Sequence, residues 1–367
     1  MLLLTLSTFK FTGGIEKFNQ CFLKAIQDVV LEEEAIAAWA LYDEQADARY
    51  ISRAHFRGFR KNKIRFVCAA LWEARKHDTI FIGHINLSIL VNLMAYLYPK
   101  KQLILLTHGI EVWETQKGGK AKALQQVARI WSVSNFTKNK LCSSNALSTE
   151  KVAVFPNTID PFFESDIASP IDWDLLAPYQ VQAHQQVLLT LTRLHSKEQY
   201  KGYDKVIAAL PSLITQFPQL KYVLAGKYDA EEYQRVVDLI AYYQVGLHVE
   251  VLGYVADEVL TNLYKAADVF VMPSSGEGFG IVFLEAMAMG VPVIAGNVDG
   301  SVDALDQGRL GELVNPHDTT AIANALAQQL KKGKGDLMAQ QRLQTAVYAQ
   351  FGFDAFKIRL RKLLNAK

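Results

Sequence analysis

The chain has 367 residues, of which 50% are hydrophobic and 21% charged, with a formal net charge of +2 at pH 7. That length points to two domains with ample apolar material for two cores, and so small a net charge excludes a polyanion binder that works through bulk charge. Three scattered cysteines, Cys21, Cys68 and Cys142, form no C-x-x-C pair, which argues against a disulfide framework or a zinc site and fits a reducing cytosol.

Residues 1–10 are apolar but interrupted by Thr5, Ser7 and Thr8, and Gly13-Gly14 follows. With no basic segment before them they do not read as a secretory signal. No stretch approaches the roughly 18 uninterrupted apolar residues of a spanning helix, so the expected localisation is cytoplasmic, at most peripheral on the inner membrane face. Buried strands are expected at residues 2–6, 35–41, 79–83, 102–107, 130–134 and 152–155. Between Arg49 and Arg65 stand Arg49, Arg53, Arg57, Arg60, Lys61, Lys63 and Arg65 with no acid. This run reads either as a solvated arm or as a contact for anionic lipid or a lipid-phosphate acceptor, with Tyr50, Phe56, Phe59 and Phe66 inserting at the interface. No nucleic-acid motif accompanies it.

Residues 155–187 hold Pro156, Pro161, Pro170 and Pro178 and read as an interdomain linker. Strands resume at 187–192, 221–225, 248–252, 269–272, 291–295 and 312–314, with helices at 203–217, 231–243 and 320–331 and an amphipathic, basic last helix at 353–364. Strands alternating with helices imply parallel sheets joined by crossover helices. The expected fold class is therefore α/β, with two doubly wound, Rossmann-like domains at 1–165 and 180–349 and a last helix at about 350–367 packing back on the first. Open parallel sheets bind ligands outside the carboxyl ends of their strands, so the chemistry is sought directly after each strand.

The most informative segment runs from Asp268 to Ala295: a buried strand, a glycine-rich loop, an apolar helix, a glycine stop and a second buried strand. Gly276, Gly278 and Gly280 let backbone approach a ligand. A helix opening near Gly280 would present the unpaired amides of Gly280, Ile281 and Val282 to a phosphate or pyrophosphate. Glu277 and Glu285 flank that opening, eight residues apart. Glu285 lies between Leu284 and Ala286, in an apolar context where a carboxylate needs a partner such as the hydroxyls of a ribose.

Glu277, Gly278, Phe279, Gly280 and Glu285 resemble, position by position, the E-x7-E signature of family 4 of the retaining glycosyltransferases, whose two-domain fold is called GT-B. The resemblance implies two Rossmann-like domains facing across a cleft, with the first on the acceptor side and the second binding the donor. It implies that Glu285 holds the donor ribose, that Glu277 with Gly278 and Phe279 holds the donor sugar, and that Ile281 and Val282 offer amides near its diphosphate.

Further motifs fit that family. After strand 187–192, Arg193 and Lys201, in the sequence R-L-H-S-K-E-Q-Y-K-G, are similar to the pair that neutralises a leaving diphosphate, with Lys197 as the alternative to Lys201. Two cations and a helix terminus would replace a divalent metal, so no metal and no cofactor is expected. Gly13 and Gly14 resemble the family's first loop, which closes over the diphosphate and faces the acceptor. His108, in His-Gly after strand 102–107, matches a histidine beside the transferred sugar, with Glu111 nearby; a role for His108 as general base is disfavoured. Val255, in Gly-Tyr-Val, resembles the turn that reads the nucleobase. Asn157 and Asp160 match the hinge N-G-I-D, with Thr158 in place of its glycine.

The resemblance thus implies transfer of a sugar, with retention, from a nucleoside-diphosphate sugar to a hydroxyl of a glycan or lipid-linked acceptor, in cell-surface polysaccharide synthesis. A UDP-sugar is favoured over a GDP-sugar. A sugar-nucleotide epimerase or hydrolase on the same fold is the first rival, and a non-catalytic nucleotide-sugar-binding protein is a further one. A dinucleotide oxidoreductase is disfavoured because no G-x-G-x-x-G follows the first strand.

Overall fold

The structure, a computed structural model, describes residues 1–30 and 36–366. It divides into two compact units, Met1–Pro161 with Phe351–Lys367, and Phe162–Gln350. Ala35, in the expected strand 35–41, and Lys367, in the expected last helix, lie outside the described residues.

The first unit runs β1 (Leu2–Thr5), α1 (Gly14–Val29), β2 (Ala37–Ala40), β3 (Phe56–Gly58), α2 (Lys63–Ala74), β4 (Thr79–Ile82), α3 (Ser88–Leu97), β5 (Gln102–Thr107), α4 (Gly118–Gln126), β6 (Arg129–Ser132), α5 (Asn135–Asn145) and β7 (Val152–Val154). Its seven strands are ordered β3-β2-β1-β4-β5-β6-β7 and pair parallel. Apolar residues point to both faces of these strands, as a sheet covered on both sides requires. Leu2, Leu4, Ile80, Ile82, Leu103 and Leu105 share one core with Phe66, Leu90 and Met94 of α2 and α3. Another cluster joins Phe18 and Phe22 of α1 to Phe81, Trp131 and Phe155.

The second unit contains α6 (Trp173–Leu176), β8 (Gln186–Leu191), α7 (Tyr203–Ile214), β9 (Leu220–Ala225), α8 (Ala230–Tyr242), β10 (Val249–Val251), α9 (Asp257–Ala266), β11 (Val269–Met272), α10 (Ile281–Ala288), β12 (Val293–Gly296), α11 (Ser301–Ala304), β13 (Glu312–Val314), α12 (Thr319–Lys332) and α13 (Leu337–Phe351). Its parallel sheet is ordered β10-β9-β8-β11-β12-β13. The last helix, α14 (Phe353–Asn365), returns to the first unit, where Phe356 stacks on Phe155 at 4.3 Å between ring centroids. Such a buried aromatic contributes roughly 1.5–3 kcal/mol through its area alone.

Three expectations change. The basic run contains β3, an edge strand whose charged Arg57 lies over the Trp39 and Phe59 rings; charge on an edge strand discourages strand addition by other chains. Tyr50, Phe59 and Phe66 are buried and Phe56 packs edge-on against Phe9, so these aromatics cover the sheet edge and cannot insert into lipid. Finally, residues 162–179 are no free linker. Ser165 bonds the Tyr348 hydroxyl at 2.8 Å, and the Asp172 amide donates to Asn262 at 2.9 Å, so the second unit begins at Phe162 and not near 180.

Candidate active site

In the second sheet the chain leaves β8 for β9 on one side and β11 for β12 on the other. The carboxyl ends of β8 and β11 therefore form its switch point, where parallel sheets open a crevice. The segments there are 192–202, after β8, and 273–280, after β11.

These two segments are stitched together. The Ser275 amide donates to the Tyr200 carbonyl at 2.9 Å. Lys201 forms an ion pair with Glu277, although the two are separated by 76 positions. Its ammonium also lies 5.1 Å from the Tyr200 ring centroid. Burial works against the Lys201 charge, but Glu277, together with Tyr200 and Glu198, outweighs it and leaves the lysine pKa raised. Arg193 stands on the same loop, 63% exposed, with its guanidinium 2.7 Å from Glu198. Lys197 is exposed, and no ion pair or hydrogen bond of its side chain is seen with Glu277. The structure thus brings Lys201, and not Lys197, to the glutamate of the signature.

The helix after Glu277 opens as its glycines suggest. Gly280 caps α10 at φ 92°, a left-handed conformation that costs glycine nothing, and a Cβ there would lie 2.4 Å from the Phe283 ring. No side chain caps α10, so the amides of Ile281 and Val282 open the helix with the positive end of its dipole. Glu285 is buried one turn further on and accepts a hydrogen bond from the Tyr264 hydroxyl at 3.1 Å. Burial, and then the Glu285 charge, push the Tyr264 phenol far above its ordinary pKa, so it remains a donor. Phe279 is buried in the core. Val255 is buried beyond β10, after Gly253, whose carbonyl accepts from the Gly226 amide at 2.8 Å.

The first unit has its own switch point, between β1 and β4. Gly13 caps α1 and Gly14 opens it. The preceding loop is fixed by Asp43, whose carboxylate accepts from the amides of Thr8, Phe9 and Lys10 at 2.7, 3.0 and 3.2 Å. His108, after β5, has Nε2 2.9 Å from the Gly83 carbonyl. A carbonyl only accepts, so Nε2 carries a proton, and the neutral form of the ring is the Nε2–H tautomer. The His108 amide donates to Glu111 at 2.5 Å, and the His84 ring stacks on that of His108 with centroids 6.4 Å apart. Burial lowers both imidazole pKa values, His84 to about 4, against the opposing pull of Glu111.

Asn157 is buried, and Asp160 accepts from the Tyr50 hydroxyl at 2.6 Å. Thr158, where the family pattern has glycine, is not among the residues with positive φ. Its hydroxyl donates to the Phe351 carbonyl at 2.8 Å, a bond glycine cannot make. Sequence reasoning missed Tyr264, Glu198, His84 and Asp299, the last considered below. His84 follows a strand end, which was a usable signal; nothing in spacing ties Tyr264 to Glu285.

Residues 177–347 match the family of "Glycosyl transferases group 1". Among relatives, an uncharacterized glycosyltransferase of Methanocaldococcus jannaschii is 35% identical over 53% of this chain and 49% of its own length. A phosphatidyl-myo-inositol mannosyltransferase of Mycolicibacterium smegmatis is 32% identical over 56% of this chain and 46% of its own. The chain thus spans about half the length of these two relatives. It covers more, 68%, of a GDP-mannose-dependent alpha-(1-6)-phosphatidylinositol monomannoside mannosyltransferase of Mycobacterium tuberculosis, which is 28% identical over 70% of this chain. Among solved structures, Anabaena HepE in complex with UDP superposes with a TM-score of 0.78 at 18% identity, covering 100% of this chain and 99% of that one. Sucrose-phosphate synthase of Thermosynechococcus elongatus gives 0.77 at 20% identity, covering 99% of this chain and 98% of that one. At these identities the two superpositions establish the fold.

Proposed function

We propose, on the premise that the chain belongs with the family 4 glycosyltransferases of GT-B fold, that it transfers a sugar, with retention, from a nucleoside-diphosphate sugar to a hydroxyl acceptor. The observation that carries the reading is the meeting of Lys201 and Glu277 beside the uncapped opening of α10. A lysine, an exposed arginine and helix amides suit a diphosphate, and the two glutamates suit the sugars on either side of it. In this reading Lys201 and Arg193 take the diphosphate, Ile281 and Val282 offer it amides, Glu285 takes the ribose, and Glu277 with Gly278, Phe279 and Gly280 holds the donor sugar. Val255 lies by the base. Gly13, Gly14 and His108 serve the diphosphate, the acceptor and the transferred sugar.

As the bond from the anomeric carbon to phosphate breaks, negative charge grows on the leaving oxygen and is met by the two cations and the helix terminus. The acceptor oxygen bonds the anomeric carbon from the same face, and its proton passes to the departing phosphate. No metal is needed for that charge balance. The neutral His108 ring suits a contact with the sugar better than proton removal.

The donor read first is a UDP-sugar, and the name of the Mycobacterium tuberculosis relative sets GDP-mannose beside it. The acceptor is a glycan or lipid-linked oligosaccharide of a cell-surface polysaccharide, reached from the cytoplasmic side. Peripheral contact with an anionic membrane is part of this reading, carried by the charges of the 49–65 run and the outward face of α2. There Ile64 and Trp72 are 79% and 61% exposed among Lys63, Arg65, Arg75 and Lys76. Among the described residues no helix is long and apolar enough to cross a membrane.

Thermal-shift and calorimetric titration with UDP, GDP and their sugar conjugates tests the donor site. Product analysis with and without an acceptor then separates transfer from hydrolysis and epimerisation. Failure of every nucleotide to bind, or binding undisturbed by Glu285→Ala, would overturn the proposal. Flotation with vesicles containing phosphatidylserine, lost in Ile64→Asp/Trp72→Asp, tests the membrane contact.

A further inference from the structure

Asp299 follows β12 in the sequence Asn297-Val298-Asp299-Gly300 and is wholly buried. Its Oδ2 accepts from the Glu277 amide at 2.7 Å and its Oδ1 from the Ser301 amide at 2.9 Å. The neighbouring Gly300 amide donates to the Glu277 carbonyl at 2.8 Å. A Cβ on Gly300 would lie 2.1 Å from the Gly278 carbonyl oxygen, so only glycine permits this approach. Both backbone groups of Glu277 are thus held from the β12 loop, while its side chain meets Lys201 from the β8 loop.

An ionised carboxylate is a costly way to satisfy two amides in a dry site. If the only need were to stabilise the loop, a neutral acceptor would serve. What the carboxylate adds is two charge-assisted acceptors fixed in one plane.

From this geometry we infer that Asp299 is a positioning residue for sugar transfer: it sets the backbone of Glu277, and through it the carboxylate that holds the donor sugar. The inference rests on the donor reading given above. It assigns Asp299 no contact with substrate.

The test is Asp299→Asn. The asparagine keeps the size but offers one oxygen to two amides and turns an NH2 group toward the other. Displacement of a reacting group by about 1 Å costs on the order of 10²-fold in rate. A fall of that order is expected in kcat, with the affinity for the bare nucleoside diphosphate unchanged, because Glu285 and the α10 amides are untouched. The loss should also be absent from a Glu277→Ala background, since two residues acting as one unit do not multiply. Wild-type kcat in Asp299→Asn overturns the inference, as do losses that multiply with those of Glu277→Ala or nucleotide affinity that falls with turnover. These outcomes leave the donor site standing. Absence of nucleotide binding in the wild type defeats both.

A measurement on the unaltered chain covers the case in which the variant does not fold. Burial, and more weakly the charge of Glu277, which is itself paired with Lys201, raise the Asp299 pKa to about 6, against the lowering effect of the two amides and Ser301. Protonation removes one acceptor. Opening of the 274–280 loop takes the pKa-lowering Glu277 amide away from a carboxylate that stays buried, so the opened loop binds the proton more tightly. Hydrogen-exchange protection of the 274–280 peptide, corrected for the intrinsic rate, should therefore fall as the pH drops through about 6. Protection that stays level between pH 7 and 5 overturns the clamp.

Discussion

The two switch points are built from opposite chemistry. In the second unit the strand ends carry Lys201, Glu277 and Arg193, charged and paired with one another or with Glu198. In the first they carry His84 and His108, two imidazoles that burial holds neutral. The same sheet order thus presents cations paired with glutamates in one unit and, in the other, two neutral imidazoles along with the carboxylates of Asp43 and Glu111. On the proposed reading, the cations of the second unit suit a diphosphate, and the imidazoles of the first suit contacts made without proton transfer.

The sharpest way to break that comparison is to remove charge from the second unit. Arg193→Ala and Glu285→Ala are each expected to lower transfer about 10²–10³-fold, the usual effect of losing one group that stabilises developing charge or holds the reacting partner. The fold should persist, as measured by circular dichroism, and wild-type turnover in both would remove these assignments. A smaller effect is expected in the first unit. His108→Ala should cost about tenfold, or about 1.4 kcal/mol, and the pH profile should show no limb from an imidazole. An acid limb present in the wild type and lost in His108→Ala would show that the ring titrates during the reaction.

Acidification separates the units further, by their stability. The folded-state pKa of His84 is depressed from 6.5 to about 4, so between those values the unfolded chain binds the proton first and stability falls as pH falls. Asp299 is raised from 3.8 to about 6, so there the folded state binds first and stability rises on acidification. Melting temperatures from pH 7 to 5 should therefore slope less in His84→Gln than in the wild type and more steeply in Asp299→Asn. Equal slopes would mean that neither group is held as described. Last, an excess of chelator should have no effect on transfer, because in the proposed site cations and helix amides balance the diphosphate. Strict dependence on a divalent metal would contradict that account.

Much of this was legible without coordinates. The expected strands at 102–107, 269–272 and 312–314 coincide with β5, β11 and β13; the first two are largely apolar runs, as strands buried on both faces require. β3 was hidden, since three residues centred on Arg57 carry no such run. The aromatics around it were misassigned to lipid for the same reason: sequence gives their apolar character but not which surface they cover. The helix opened by Gly280 was readable because the glycines and the helix start lie within a few positions of one another.

Local order along the chain, then, settled the parallel α/β architecture, the glycine-opened helix and the residue types gathered at strand ends, all consequences of periodicity and backbone sterics over short spans. Only the tertiary structure decided which of those residues meet. Lys201 reaches Glu277 across 76 positions, Asp299 reaches it across 22, and Tyr264 reaches Glu285 across 21. The physical reason is strand order: β8, β11 and β12 are neighbours in the sheet, and pairing between their loops depends on hydrogen-bond register that no spacing in the sequence encodes.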